Sequence, residues 1–151
     1  MKYTDFKNQT IDEFKKIPDT TFDIDPNYSS KDNDFFGNLV FEGKNHLVKI
    51  QNESGKIEEG EEQFILSFNY LVRIRQIPLD ISNDLIYEAL NKFNETYAII
   101  KAIYYKKDDK GHTFWFRNEQ LLSTPIDHLT IKNILISLRS SPKTLMTLFK
   151  G

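Results

Sequence analysis

The sequence predicts an α+β fold of two layers, in which helices cover one face of a five-stranded, mostly antiparallel sheet. Helical and strand patterns follow one another in the order α-β-β-β-α-β-β-α, and such runs of strands flanked by helices are typical of this class. The composition is 39% hydrophobic and 13% aromatic, which is enough apolar material to fold. The 151 residues suit one hydrophobic core, so a single domain over residues 1–151 is expected.

The N-terminal part of the chain predicts a helix and then a loop. The helix covers residues 3–17, in which Thr10 and Glu13 have the spacing of a capping box. Residues 19–34 are rich in Asp, Asn and Ser and are expected to form a loop, with a short extended piece at residues 22–24.

Three strands are predicted next, at residues 35–42, 47–51 and 64–74, and a tight turn at residues 43–45 joins the first two. The third strand alternates strictly, so one face is expected to be buried. Its buried face would carry Phe64, Leu66, Phe68, Tyr70, Val72 and Ile74, and its other face Ser67, Asn69, Leu71 and Arg73.

Residues 82–117 predict an amphipathic helix that leads into an antiparallel hairpin. Ser82 is the expected N-cap of the helix. The strands of the hairpin are predicted at residues 97–105 and 112–117, joined by a turn at residues 108–111.

A last helical region follows a polar loop. Thr124 and Pro125 are the expected N-cap and first helical residue, and Ser141-Pro142 either kinks this helix or starts another. The apolar stripe of the helix consists of Ile131, Ile134, Leu135 and Leu138.

The charge and the residue types that are missing exclude several classes of function. The formal net charge of −2 argues against a nucleic-acid or membrane partner. There is no cysteine, and no run of residues approaches the roughly 18 apolar residues of a membrane span. A cytoplasmic protein is therefore expected.

Metal ligands are not indicated. The three histidines, His46, His112 and His128, have no second ligand at a suitable spacing and are expected at the surface or in capping positions. A calcium-like loop begins at Asp23 but fails at its sixth position, Tyr28, where a glycine is needed, and residue 34 is Asp where a bidentate Glu is needed. We expect no metal and no cofactor.

No catalytic motif is present either. The sequence has neither a nucleophile elbow nor a glycine-rich phosphate loop, so no catalytic residues are assigned. An enzyme with an unrecognised carboxylate site remains an alternative hypothesis, because carboxylates are abundant.

The face of the sheet opposite the helices is the predicted binding site. It would carry more aromatic and apolar side chains than a solvated sheet face normally does, and such a patch is typical of a partner surface. The predicted partner-binding residues are Arg73, Tyr97, Ile99, Ile103, Tyr105, Trp115 and Arg117. The alternative is that another segment of the chain covers this face as a second small core.

An acidic cluster offers a second contact. Glu58, Glu59, Glu61 and Glu62 would steer a basic partner by long-range attraction, although a block of like charge is more often a solvated loop.

The stretch Leu90-Asn91-Lys92-Phe93-Asn94, at the helix end before the hairpin, and the apolar C-terminal helix resemble the YbjN family and the wider type III secretion chaperone-like fold. The resemblance covers the topology of the whole chain and the sequence of its second half. It implies a small, often dimeric, non-enzymatic protein that binds other polypeptides. Two uses fit: a secretion-chaperone-like or YbjN-like regulator, and an immunity protein that neutralises a toxin. The expected partner is a protein, which is an effector, a toxin or a second copy of the chain.

Overall fold

The computed structural model describes residues 1–24, 34–52 and 63–149 and contains helices packed on an antiparallel sheet. The helices and strands, in chain order, are α1 (Tyr3–Lys15), β1 (Thr20–Ile24), β2 (Asp34–Phe41), β3 (Lys44–Asn52), β4 (Phe64–Ile74), α2 (Asn83–Thr96), β5 (Lys101–Asp108), β6 (Gly111–Leu122) and α3 (His128–Thr147).

The sheet has six strands in the spatial order β1-β2-β3-β4-β6-β5. The α+β class is therefore confirmed, but the predicted five strands and the predicted order of elements are wrong, because residues 20–24 form a strand rather than a loop. β1 pairs antiparallel with β2, with Phe22 opposite Leu39. The side chain of Phe22 explains why β1 forms. Its ring packs on Phe14 and Phe35, and a Cβ at Gly37 would overlap that ring.

The hairpin between β2 and β3 turns through two residues, Glu42 and Gly43. Both have positive φ, 48° and 78°, which is the backbone of the type I′ turn that matches the twist of paired strands. Phe41 therefore pairs with Lys44, one residue earlier than the predicted turn at residues 43–45 allows.

The residues group into two compact units, Met1–Phe68 with Glu119–Leu135, and Asn69–Asn118 with Ile136–Gly151. In the first unit, the Phe6 ring of α1 stacks on Phe64 of β4 at 4.4 Å between ring centres. In the second unit, Phe93 of α2 contacts Phe116 of β6 edge-on, 5.8 Å away. Aromatic packing of helix on sheet thus builds the core of each unit.

The ends of two helices differ from the predictions. Thr10 lies in the middle of α1 and is buried, so it does not form a capping box. α3 begins at His128 rather than at Pro125, because Asp127 caps it by accepting a hydrogen bond of 2.8 Å from the Thr130 N–H.

Glu13 also supports the start of α3, although it lies 115 residues away along the chain. One carboxylate oxygen accepts a hydrogen bond from the His128 N–H at 2.9 Å. The other accepts from Lys16 Nζ at 2.8 Å, and this bond is the main reason that the pKa of Glu13 is lowered. A negative charge at a helix N-terminus is favourable.

α3 continues through Pro142 as one helix. Of the two alternatives for Ser141-Pro142, a separate last helix is therefore excluded. Ser141 Oγ donates to Ser137 O at 2.6 Å.

Two histidines are buried, which corrects the expectation of surface or capping positions. His46 is 0% exposed and its Nδ1–H donates to Lys44 O at 3.0 Å. His112 is 1% exposed, and its Nε2–H donates to Pro78 O at 2.9 Å. The remaining ring nitrogen of His112 therefore accepts from the Tyr104 hydroxyl at 2.8 Å.

Thr10 gives a first testable prediction. Its side-chain oxygen is buried and has no hydrogen-bond partner among the described residues. Thr10→Val keeps the shape and the β-branch but removes the unsatisfied hydroxyl, so we expect the free energy of unfolding to rise by about 1 kcal/mol. Urea denaturation measures this change. The control is Thr4→Val on the exposed side of α1, which should change stability by less than about 0.5 kcal/mol; a destabilised Thr10→Val protein would contradict the prediction.

His46 gives a second prediction. Burial lowers its pKa in the folded protein below the ordinary value of 6.5. The unfolded chain therefore binds a proton at a higher pH than the folded chain, so this contribution to stability is present above pH 6.5 and is lost as the pH falls from there. We therefore expect a lower urea midpoint at about pH 5.5 than at about pH 7.5. These pH values lie about one unit to either side of the ordinary pKa of histidine. An imidazole titration by NMR that placed the pKa of His46 above 6.5 would refute it.

Candidate functional site

The β5–β6 hairpin presents two different faces. Phe114 and Phe116 of β6 are fully buried, whereas Trp115 between them points to the other side and is half-buried. Ile103 of β5 lies directly opposite Trp115 in the register and is also half-buried. Because side chains alternate along a strand, Ile103 and Trp115 belong to one face, which we call the outer face.

The indole of Trp115 is held in one orientation. Its Nε1–H donates to Asn69 Oδ1 on β4 at 2.8 Å. The guanidinium carbon of Arg117 lies 5.1 Å from the centre of the Trp115 ring, which is the geometry of a cation–π contact. Both contacts orient the aromatic ring on the outer face before any partner binds.

A β-bulge at Tyr105 changes the alternation in β5. Tyr104 pairs with Phe114 and Lys106 with Thr113, so Tyr105 has no partner in the register. Because of this extra residue, Lys106 lies on the outer face. Strict alternation from Ile103 would instead place it on the inner face. Lys106 Nζ lies 5.8 Å from the centre of the Tyr105 ring, and Tyr105 is 56% exposed.

Arg73 lies at the hairpin end of the same unit. Its Nη2–H donates to Asp108 Oδ2 at 2.7 Å, and both side chains are about one-third exposed. The pKa of Asp108 is lowered, chiefly by the hydrogen bond from the Lys110 N–H and further by the charge of Arg73. Arg73 therefore fixes the hairpin tip by an ion pair. Leu71, two residues before it on β4, is 52% exposed.

The predicted strand at residues 97–105 begins too early, and this displaces two of the predicted site residues. β5 starts at Lys101, and Tyr97 is the C-cap of α2, where its N–H donates to Phe93 O. Tyr97 and Ile99 are therefore not on the outer face with Trp115. Residues 97–100 do not extend the strand because they connect the end of α2 to the start of β5.

Tyr97 and Ile99 instead line a groove of about 450 Å³. One wall is the segment from Thr96 to Ile100, and the other is the hydroxyl-rich part of α3. The hydroxyls of Ser140 and Thr144 donate back to carbonyls of their own helix, at 3.1 Å each. Among the described residues that line the groove, none is charged.

Two asparagines hold the segment between α2 and β5. Asn94 makes both hydrogen bonds that a neighbouring strand would make with Ala102: its Oδ1 accepts from the Ala102 N–H at 2.8 Å, and its Nδ2 donates to Ala102 O at 3.0 Å. Asn118 Nδ2 donates to Ile99 O at 3.0 Å. Asn94 therefore also closes the exposed edge of β5 at this residue.

Other sequence predictions fall elsewhere. Glu58, Glu59, Glu61 and Glu62, and most of the calcium-like loop, lie outside the described residues. Within the described ranges, no cluster of three or more His, Asp or Glu side chains has the arrangement of a metal site. None of the described helices is both long enough and apolar enough to cross a membrane.

Comparisons with known proteins give little beyond this geometry. No protein-family model matches the sequence, and no curated protein matches it. Among solved structures, the chain is similar to YbjN from E. coli, described as a candidate transcription regulator, with 12% sequence identity and a TM-score of 0.39. The match covers 97% of this chain and 89% of the YbjN chain.

Asn94 yields a prediction for this site. Asn94→Ala removes both hydrogen bonds to Ala102 and leaves its buried main-chain groups unsatisfied, so we expect a loss of about 1–3 kcal/mol in the free energy of unfolding. Asn91→Ala, on the exposed side of the same helix, is the matched control and should cost less than about 0.5 kcal/mol. Equal stability of the two variants in thermal denaturation would contradict this account.

Proposed function

We propose that this protein is a non-catalytic binding module that acts by stoichiometric binding of a polypeptide partner through the outer face of the β5–β6 hairpin. The observation that carries the proposal is the half-buried Trp115, which stands on the side of β6 away from Phe114 and Phe116 and is oriented by Asn69.

The make-up of the face supports a protein partner. Trp, Tyr and Arg are the residues in which binding energy at interfaces is concentrated, and Trp115, Tyr105, Arg73 and Arg117 contribute all three types. Leu71 and Tyr105 expose more than half of their surface, which is apolar area that a partner would remove from water. Of the predicted partner-binding residues, Tyr97 and Ile99 are left out because they line the groove instead.

Within this class, we favour a secretion-chaperone-like or YbjN-like regulator that masks a polypeptide segment. The fit rests on the resemblance of the second half of the sequence, and a second copy of the chain is one partner to test. The other use, immunity against a toxin, is supported by the acidic sequence Glu58–Glu62. Such a cluster would speed association with a basic toxin and make it sensitive to salt.

The experiment uses tagged protein to capture partners from the cells that make it, with quantification by mass spectrometry. Truncation of the outer face by Tyr105→Ala with Leu71→Ala should reduce capture of the specific partner at least about tenfold, which corresponds to about 1.4 kcal/mol. Because both side chains are more than half exposed, thermal stability should change little.

The matched control removes the same two residue types from α2. Tyr87 is 54% and Leu85 47% exposed, so Tyr87→Ala with Leu85→Ala should leave capture unchanged. Trp115→Ala tests the central side chain and should also abolish capture, at some cost in stability because it ends the bond to Asn69. Light scattering of the pure variants reports whether the partner is a second copy. Equal capture by all three variants would rule out the outer face.

A further inference from the structure

The net charge of the whole chain is small, but its charged residues are distributed unevenly between the two compact units. One of the two compact units consists of residues 69–118 and 136–151. It contains eleven Lys and Arg residues and six Asp and Glu residues, so its net charge is +5. The other unit contains nine Lys and Arg residues and sixteen Asp and Glu residues, so its net charge is −7. The unit that carries the outer face is therefore distinctly basic, and such asymmetry points to a charged partner.

Part of this positive charge lies on the outer face itself. Lys101 of β5 and Arg117 of β6 are directly opposite one another, next to the apolar pair Ile103 and Trp115. Like charges directly opposite each other on a sheet are destabilising. Lys106 follows on the same face, beyond the bulge. The exposed Lys101 and Lys106 form no ion pair with any carboxylate among the described residues.

We propose that the partner of the outer face is an acidic polypeptide segment in which carboxylates alternate with apolar side chains. This deepens the proposed function and rests on it. Carboxylates of the segment lie against Lys101 and Lys106. Its apolar side chains cover Ile103 and Trp115.

The apolar half of the surface favours a polypeptide over a nucleic acid. Single strands of DNA or RNA bind through phosphates on cations and through bases stacked on aromatic rings. Ile103 is aliphatic and offers no ring to a base, and it lies between Lys101 and Lys106 along β5, so these two cations do not form a continuous basic track. An acidic segment with apolar side chains uses both kinds of contact.

The test measures binding of a short fluorescein-labelled peptide that alternates glutamate with leucine, by fluorescence anisotropy on the full chain. The decisive variant is Lys101→Glu with Lys106→Glu, which should weaken binding at least about tenfold. It should not lower the melting temperature, because residue 101 then forms an attractive pair with Arg117. The control, Lys92→Glu with Lys143→Glu, makes the same change in net charge elsewhere in the unit and should weaken binding less than about twofold, because screening limits the action of distant charges.

Four outcomes would overturn the proposal. Equal weakening by both charge variants would show attraction to net charge alone. Equal binding of the same peptide with glutamine in place of glutamate, or no binding of either, would exclude an acidic partner. Tighter binding of oligo-deoxythymidine, lost in the Lys101→Glu, Lys106→Glu protein, would assign the surface to nucleic acid.

Failure of this proposal is distinguishable from failure of the proposed function. If the natural partner is lost on Tyr105→Ala with Leu71→Ala but retained on Lys101→Glu with Lys106→Glu, the outer face is a binding site for a partner that is not acidic. If the partner is retained on both, the outer face is not the site.

Discussion

The pairing of Ile103 with Trp115 across the β5–β6 hairpin determines which side chains lie on the outer face and which lie in the core. Side chains alternate along each strand, so this register sends Phe114 and Phe116 to the core and leaves Trp115 on the opposite side. A slip by one residue would bury the indole and expose both phenylalanines. The register is fixed by the tight turn, where Asp108 accepts from the Lys110 N–H and binds Arg73. A turn of two residues thus controls the chemistry of the surface.

Those parts of the fold that depend on local patterns could be predicted from the sequence. The bounds of β4, Phe64–Ile74, and the N-cap Ser82 are confirmed, because strict alternation and a capping hydroxyl act within a few residues. β1 could be predicted only as a short extended piece at residues 22–24, because it begins a segment rich in Asp, Asn and Ser and because Phe22 is stabilised by Phe14 and Phe35 from other elements. The start of α3 was predicted three residues early, because Asp127 and the distant Glu13 cap it.

The candidate site could be predicted only in part, for a similar reason. Alternation alone separates Trp115 from its buried neighbours. It cannot reveal that Asn94 and Asn118 hold residues 97–100 outside the sheet, since these asparagines bond main-chain atoms 8 and 19 residues away and such bonds leave no trace in the alternation. Nor does it reveal the bulge at Tyr105, which brings Lys106 to the outer face. The opposed cations Lys101 and Arg117 become apparent only once the register is known.

Orientation of Trp115 in the free protein bears on the strength of the proposed binding. A large side chain that is ordered only on binding loses about 0.5–1.5 kcal/mol of conformational freedom at that moment. Trp115 has already lost this freedom in the folded chain, because Asn69 accepts its indole N–H and Arg117 lies over its ring. The hydrogen bond to Asn69 also satisfies the indole N–H of this half-buried ring, which would otherwise need water. The hydrogen bond that stabilises the fold therefore also orients the ring on the outer face, so the proposed partner would gain the apolar contact without the cost of ordering this ring.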